Sequence, residues 1–243
     1  MKFDVKIFGK VRGVPRVLLA AMVALLVSIS ANAADDIINA RYVTGMEMPV
    51  SGAGFTATGK RVDLTLNFAP AKGTDLVLVH NTGPNFIAGT FDNLQHGQIV
   101  TLSYLGVAYH FVANYYGGNG RDLVLMGITL DDLSAATLAK LDDALVLALK
   151  KSRGEAPFER SRSFQPEDYE RGGRVLVDVK GSVSTELVNE VARLGGDVFN
   201  NSQTAATLRA WVPFTALEAV ANLKAVESMA AARPTMTHRL TPN

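Results

Sequence analysis

The chain has no cysteine, one tryptophan and only four histidines among 243 residues. Without cysteine there is no disulfide framework, no thiol nucleophile and no thiolate metal site. No H-E-x-x-H motif and no histidine pair at i, i+4 occurs, so a zinc centre has no carrier. A G-x-S-x-G elbow is also missing. From these absences we expect no enzyme, no cofactor and no catalytic residue. Charge of one sign is lacking too: 24 Lys and Arg face 23 Asp and Glu. A net charge of +1 argues against nucleic acid as a partner, because that mode of binding works by neutralising phosphates. Apolar residues, by contrast, make up 48% of the chain. That suffices for a core in one large or two small domains.

The first residues read as an address. Lys2, Lys6, Lys10, Arg12 and Arg16 stand against one acid, Asp4, and an apolar run over 17–29 follows. Ala31-Asn32-Ala33 then supplies a small-x-small cleavage site. A basic stretch, a short apolar stretch and this site describe a secretory signal peptide over 1–33. The run is shorter than the roughly 20 residues that span a bilayer, so no stable membrane insertion is expected after cleavage. Cleavage would remove five basic residues and one acid, leaving a net charge of −3. The expected destination of this bacterial-looking chain is outside the cytoplasm: periplasmic, cell-surface or extracellular.

Composition then divides the remainder. Residues 35–127 hold 12 charged residues and ten aromatics, whereas 128–243 hold 29 charged residues. The first stretch reads as all-β. Val62, Leu64, Leu66 and Phe68 alternate onto one face, and apolar runs at 76–79, 99–104, 108–113 and 123–126 are separated by Gly, Pro and Asn turns. The second opens with a helix predicted over 134–151, capped by Asp131, Asp132 or Ser134. It carries Leu138, Leu141, Leu145 and Leu149 at three- and four-residue spacing. Residues 152–173 are rich in Arg, Glu, Ser, Pro and Gly and read as an exposed linker.

Residues 174–232 alternate strand and helix patterns. A strand at 174–180 precedes a helix capped by Ser182 or Ser184 and ended by Gly195-Gly196. Strands at 197–201 and 206–212 follow. A helix is then predicted to start at Pro213, where a helix start tolerates the ring, and a strand closes at 226–231. This β-α-β-β-α-β order is the split βαβ, ferredoxin-like arrangement. The predicted class is therefore α+β overall: an all-β module over 35–127 (a solenoid end or small sandwich), a helical connector over 128–173, and a ferredoxin-like module with a tail over 174–243.

Two resemblances sharpen that picture. VDLTLNFAPAKGTDLVLVHNTG, GTFDNLQHGQIV and GVAYHFVANYYGGNGRDLVLM, within residues 62–126, resemble the terminal unit of autotransporter-associated β-strand repeat proteins. That family consists of exported bacterial surface proteins whose strands stack as a solenoid. Only one unit is present, and a rung cannot bury its faces alone. Residues 174–238 resemble the propeptide-type inhibitor domain of subtilisin-like proteases, through RVLVDVKGSVSTELVNEVARLGGDV, ATLRAWVPFTALEAVANLKAVESM and AARPTMTHR. The resemblance implies an open sheet face laid on the enzyme and a C-terminal tail in its cleft.

The candidate site residues follow from alternation in the two central strands. Leu208, Ala210 and Val212 are expected to face the helices, and Thr207, Arg209 and Trp211 the open side. Val175, Val177 and Val179 likewise face in, with Leu176, Asp178 and Lys180 out. Trp and Arg are enriched where partners bind, so Trp211, Arg209, Thr207, Leu176 and Asp178 form the expected protein-binding face. Thr235, Met236 and His238 join it through the tail. Gly117-Gly118-Asn119-Gly120-Arg121-Asp122-Leu123-Val124-Leu125 matches a calcium-binding nonapeptide repeat, which makes Asp122 a weak metal candidate. One copy supplies half a site, and the favoured role for Asp122 is to fix its own turn through backbone hydrogen bonds. Tyr109, Phe111, Tyr115 and Tyr116 are candidates for a sugar or peptide platform, against core packing as the expected role. The expected function is that of an exported, non-enzymatic surface or envelope interaction protein. Inhibition or assisted folding of a subtilisin-like protease is the alternative.

Overall fold

A computed structural model describes residues 36–155 and 170–232. The signal-like stretch over 1–33, most of the linker and the tail residues Thr235, Met236 and His238 lie outside those limits. Alternating and apolar stretches build the strand-rich first part. Its strands are β1 (Asp36–Tyr42), β2 (Val50–Gly52), β3 (Lys60–Leu66), β4 (Leu76–Asn81), β5 (Ile99–Tyr104), β6 (Val107–Gly117) and β7 (Asp122–Ile128). β1 pairs with β3, and the other five form a sheet in the order β2-β4-β7-β6-β5. Within that five-stranded sheet, only the β2–β4 pair is parallel. The β5–β6 hairpin closes on Leu105 and Gly106, with φ of 50° and 80°. Two left-handed residues give the primed turn whose twist matches the flanking strands. Tyr42, Val62 and Leu66 of the small sheet meet Leu76, Leu78, Phe111 and Leu125 of the large one in a single core cluster.

The helix expected over 134–151 is two helices. Ser134 caps α1 (Ala135–Leu138), and Asp142 caps α2 (Asp143–Ser152), each accepting from a backbone N–H of the first turn. Between them Leu141 forms a parallel bridge with Met229, which pulls the chain out of helical geometry. The spacing of the leucines continues across the break, so periodicity alone could not reveal it.

The second sheet contains β8 (Glu170–Arg171), β9 (Arg174–Gly181), β10 (Asp197–Ser202), β11 (Thr207–Pro213) and β12 (Val226–Ala231). Its order is β10-β11-β9-β12, all antiparallel, with β8 folded back on the start of β9. Ser184 caps α3 (Thr185–Arg193) between β9 and β10. Pro213 ends β11 rather than starting a helix. A 3-10 turn (Phe214–Ala216) separates it from α4 (Leu217–Ala221).

Both helices cover one face of this sheet. Val175, Val177, Val179, Leu208, Ala210 and Val212 pack with Leu187, Val191, Leu217 and Val220, and all are buried. The same cluster takes Leu145 and Leu149 of α2, together with Val112 of β6 and Ile128 of β7. The change in composition near Met126–Asp131 therefore falls inside a shared core. At about 25 cal/mol per Å² of apolar surface, that burial is what holds a chain without disulfides. The described fold is α+β, with strands dominant.

Candidate functional site: the helix-free sheet face

Alternation along β9 and β11 sends every second side chain away from the helices. Strand register then sets those side chains in rows. Asp197, Trp211 and Leu176 make one row, Asn200, Arg209, Asp178 and Ala230 the next, and Ser202, Thr207, Lys180 and Ser228 the third. Trp211, Arg209 and Thr207 are half-buried, as expected for a face without helices.

One expectation needs correction. Leu176 is only 3% exposed, although it belongs to neither core cluster. Its row ends where Ala232, also buried, donates its N–H to the Leu176 carbonyl at 2.9 Å. Leu176 is thus not available to a partner, and the accessible part of the face shifts toward β10. Arg209, for its part, is engaged within the chain. Its Nε and Nη2 donate to the two carboxylate oxygens of Asp178 at 2.6 and 2.7 Å. The hydrogen bonds to Asp178 raise the Arg209 pKa. A bidentate pair fixes both side chains flat across the strands, beside Trp211.

The residue that sequence reasoning missed is Phe199. Register shifts between Val198 and Asn200, so Phe199 is the extra residue of a β-bulge on the edge strand β10. It stands 56% exposed. Bulges re-aim a side chain and break the regularity of an edge. No local signal distinguishes this phenylalanine from a core residue, because the bulge exists only in the pairing.

Asp122 is buried at the start of β7. Its Oδ1 accepts from the Asn81 N–H at 2.8 Å, and its Oδ2 lies 3.4 Å from Nδ1 of His80. It therefore ties β7 to the end of β4, and the expected bonds to its own turn are not its role. Gly118 makes room for it: a Cβ there would sit 2.2 Å from Oδ2. Among the described residues no three His, Asp or Glu side chains converge as a metal site.

The tyrosine group divides. Phe111 and Tyr115 are core residues. The Tyr115 hydroxyl donates to the Leu94 carbonyl at 2.7 Å and accepts from the Phe91 N–H at 2.8 Å. Burial pushes its pKa up to about 12. Tyr109 is half-buried. Only Tyr116 is exposed, set edge-on to Phe86 and to His96 with ring centroids 5.7 and 5.2 Å away.

Compared with known proteins, the chain matches no family model, no curated protein and no solved structure. Among the described residues no helix is long and apolar enough to cross a membrane.

Proposed function

We propose that the chain is an exported bacterial protein that acts by binding another protein. In this reading the strand-rich first part is a small sandwich serving as scaffold, and residues 174–232 are a ferredoxin-like module that presents the contact surface. One observation carries it: a five-stranded sheet with both helices on one side and Trp211 half-exposed on the other. Partly exposed tryptophan beside a fixed Arg–Asp pair and an edge phenylalanine is the composition of an interface centre with a polar rim. The predicted contact residues are Trp211, Phe199 and Thr207, with the Arg209–Asp178 pair as a rigid polar element. The mode is binding rather than turnover at that face.

The sheet order also supports the narrower alternative, an inhibitor or folding helper of a subtilisin-like protease. Both are tested on the chain from Ala34 onward, with Trp211→Ala alongside. Slow, saturable inhibition of subtilisin that weakens at least about tenfold in the variant, a hot-spot-sized loss, establishes the inhibitor reading. Digestion without inhibition removes it. Capture of a protein from the envelope fraction that fails with Trp211→Ala supports the broader reading, and capture unaffected by the substitution moves the interface off this face.

A further inference from the structure

A cleft lined by none of the residues discussed as contacts opens beside the end of β7. Its walls are the turn over 70–74 and the start of β6 (Val107 to Phe111), and its floor is the chain leaving β7. Two contiguous voids of about 320 and 670 Å³ share Lys72, Gly73, Gly127, Thr129 and Asp131. Voids of this size take small molecules.

The cleft is preformed rather than incidental. Gly127 lets the turn close on β7: a Cβ there would lie 2.5 Å from the Thr74 carbonyl oxygen. The Gly127 N–H donates to Asp75 Oδ1 at 3.1 Å, which pins the turn to the floor.

Charge in the cleft is largely spent, and the remainder is specific. Asp132 and Glu155 both bond to Lys150, and Asp132 also takes Arg153. Lys72 and Asp131 make no hydrogen bond or ion pair among the described residues. Asp131 acts through its field on His110. The His110 Nδ1 lies 3.0 Å from the Thr101 hydroxyl. Burial lowers the His110 pKa, against the field of Asp131. Among the described residues one cation and one anion without a partner therefore line the same cavity, where Val107 adds exposed apolar surface.

We propose that this cleft binds a small zwitterion, a free amino acid or short peptide, with its carboxylate at Lys72 and its ammonium at Asp131. A phosphorylated ligand would meet three carboxylates against one free lysine, and a ligand of single charge would leave Lys72 or Asp131 unpaired. Pairs this exposed contribute little each, about fivefold in affinity at most, so binding is weak and suited to detection by NMR.

The test follows the amide resonances of Gly73, Gly127 and Thr129 in the chain from Ala34 onward, titrated with leucylglycine to about 20 mM, a range that covers millimolar dissociation constants. Saturable shifts confined to the cleft are expected. N-acetyl-leucylglycine and leucylglycinamide, each lacking one charge, should bind about fivefold more weakly, as should leucylglycine to Lys72→Met and to Asp131→Asn. Both substitutions are at exposed side chains, and unchanged spectra elsewhere establish that they fold. Absence of shifts, equal binding of the three ligands, or binding indifferent to both substitutions overturns the proposal.

Discussion

Asp142 accepts a hydrogen bond from the amide of Ala231 at 2.9 Å, across 89 residues of chain. Its other oxygen caps α2 by accepting from Leu145 at 2.8 Å. Its own N–H donates to the Met229 carbonyl at 3.0 Å, and the Met229 N–H returns a bond to Lys140. The next residue, Asp143, accepts from the amide of Ile99 at 2.9 Å. Two consecutive acids thus bond α2 to β12 on one side and to β5 on the other.

Asp142→Asn keeps the shape but offers one acceptor where two N–H groups point. One donor must face another, and the expected loss is about 1–3 kcal/mol, the cost of a buried polar group left unpaired. Urea unfolding measures it. A loss below about 0.5 kcal/mol, the level of an ordinary surface change, would show that the second bond is dispensable.

Burial raises the Asp142 pKa, outweighing the bonds from Leu145 and Ala231, and Asp143 adds to the rise. The folded state then holds this proton more tightly than the unfolded chain, whose aspartates titrate near 3.9. Above the folded value the cost of the buried charge is present in full. It fades as pH falls through that value and is gone below the unfolded one. A carboxyl resonance for Asp142 that titrates at or below about 3.9, the unperturbed value, would refute this.

Glu47 behaves oppositely. Desolvation opposes its ionisation, but bonds from its own amide and from Thr44 and Val43 hold its pKa down at about 2. Any stability it supplies is present above its ordinary value of 4.5 and is lost as pH falls toward 2. Glu47→Gln should flatten that part of the acid limb and free the loop amides of Val43, Thr44 and Gly45, which its carboxylate now accepts from. Faster hydrogen exchange at these three amides is the readout. Unchanged exchange would mean that the loop does not depend on Glu47.

Lys150 is buried on α2, between Asp132 and Glu155. Removing it strands two carboxylates that remain partly exposed and can rehydrate. Lys150→Ala should therefore cost about 2 kcal/mol, less than the 3–5 of a fully buried pair. Lys150→Met, which keeps the packed stem, should recover part of that loss. Equal losses in the two variants would assign the effect to charge alone.

Gly181→Ala should be far worse than Gly172→Ala. At Gly181, φ is +155° and a Cβ would lie 2.0 Å from the Ala225 carbonyl oxygen, whereas at Gly172 nothing lies within 4 Å. Expected losses are about 3 kcal/mol or more against about 1, a backbone clash against left-handed strain alone. Similar melting temperatures would contradict the close approach of β9 and β12.

Much of this fold was legible because alternation writes strands directly. β5 and β12 occupy the predicted limits of 99–104 and 226–231. β1 and β2 were missed: the alternation of Ile38, Ala40 and Tyr42 in β1 is short and was passed over, and Val50–Gly52 is a strand only because β4 lies beside it. The break at Leu141 was invisible because its cause, Met229, lies far along the chain. The face of Trp211 was readable from parity. The burial of Leu176, the Arg209–Asp178 pair and the Phe199 bulge were not, since they depend on register. The cleft has no local signature at all, because Lys72, His110 and Asp131 meet only through topology.

The bridge between Leu141 and Met229 also sets an order of events. Residues 140–142 leave the ribosome almost ninety residues before their partner strand. Until Met229 emerges, α2 has its cap at Asp142 but no sheet edge to close on. The shared core must wait for nearly the whole chain, and contacts of such long sequence separation slow folding. A chain built this way completes its shared core only when synthesis is nearly over.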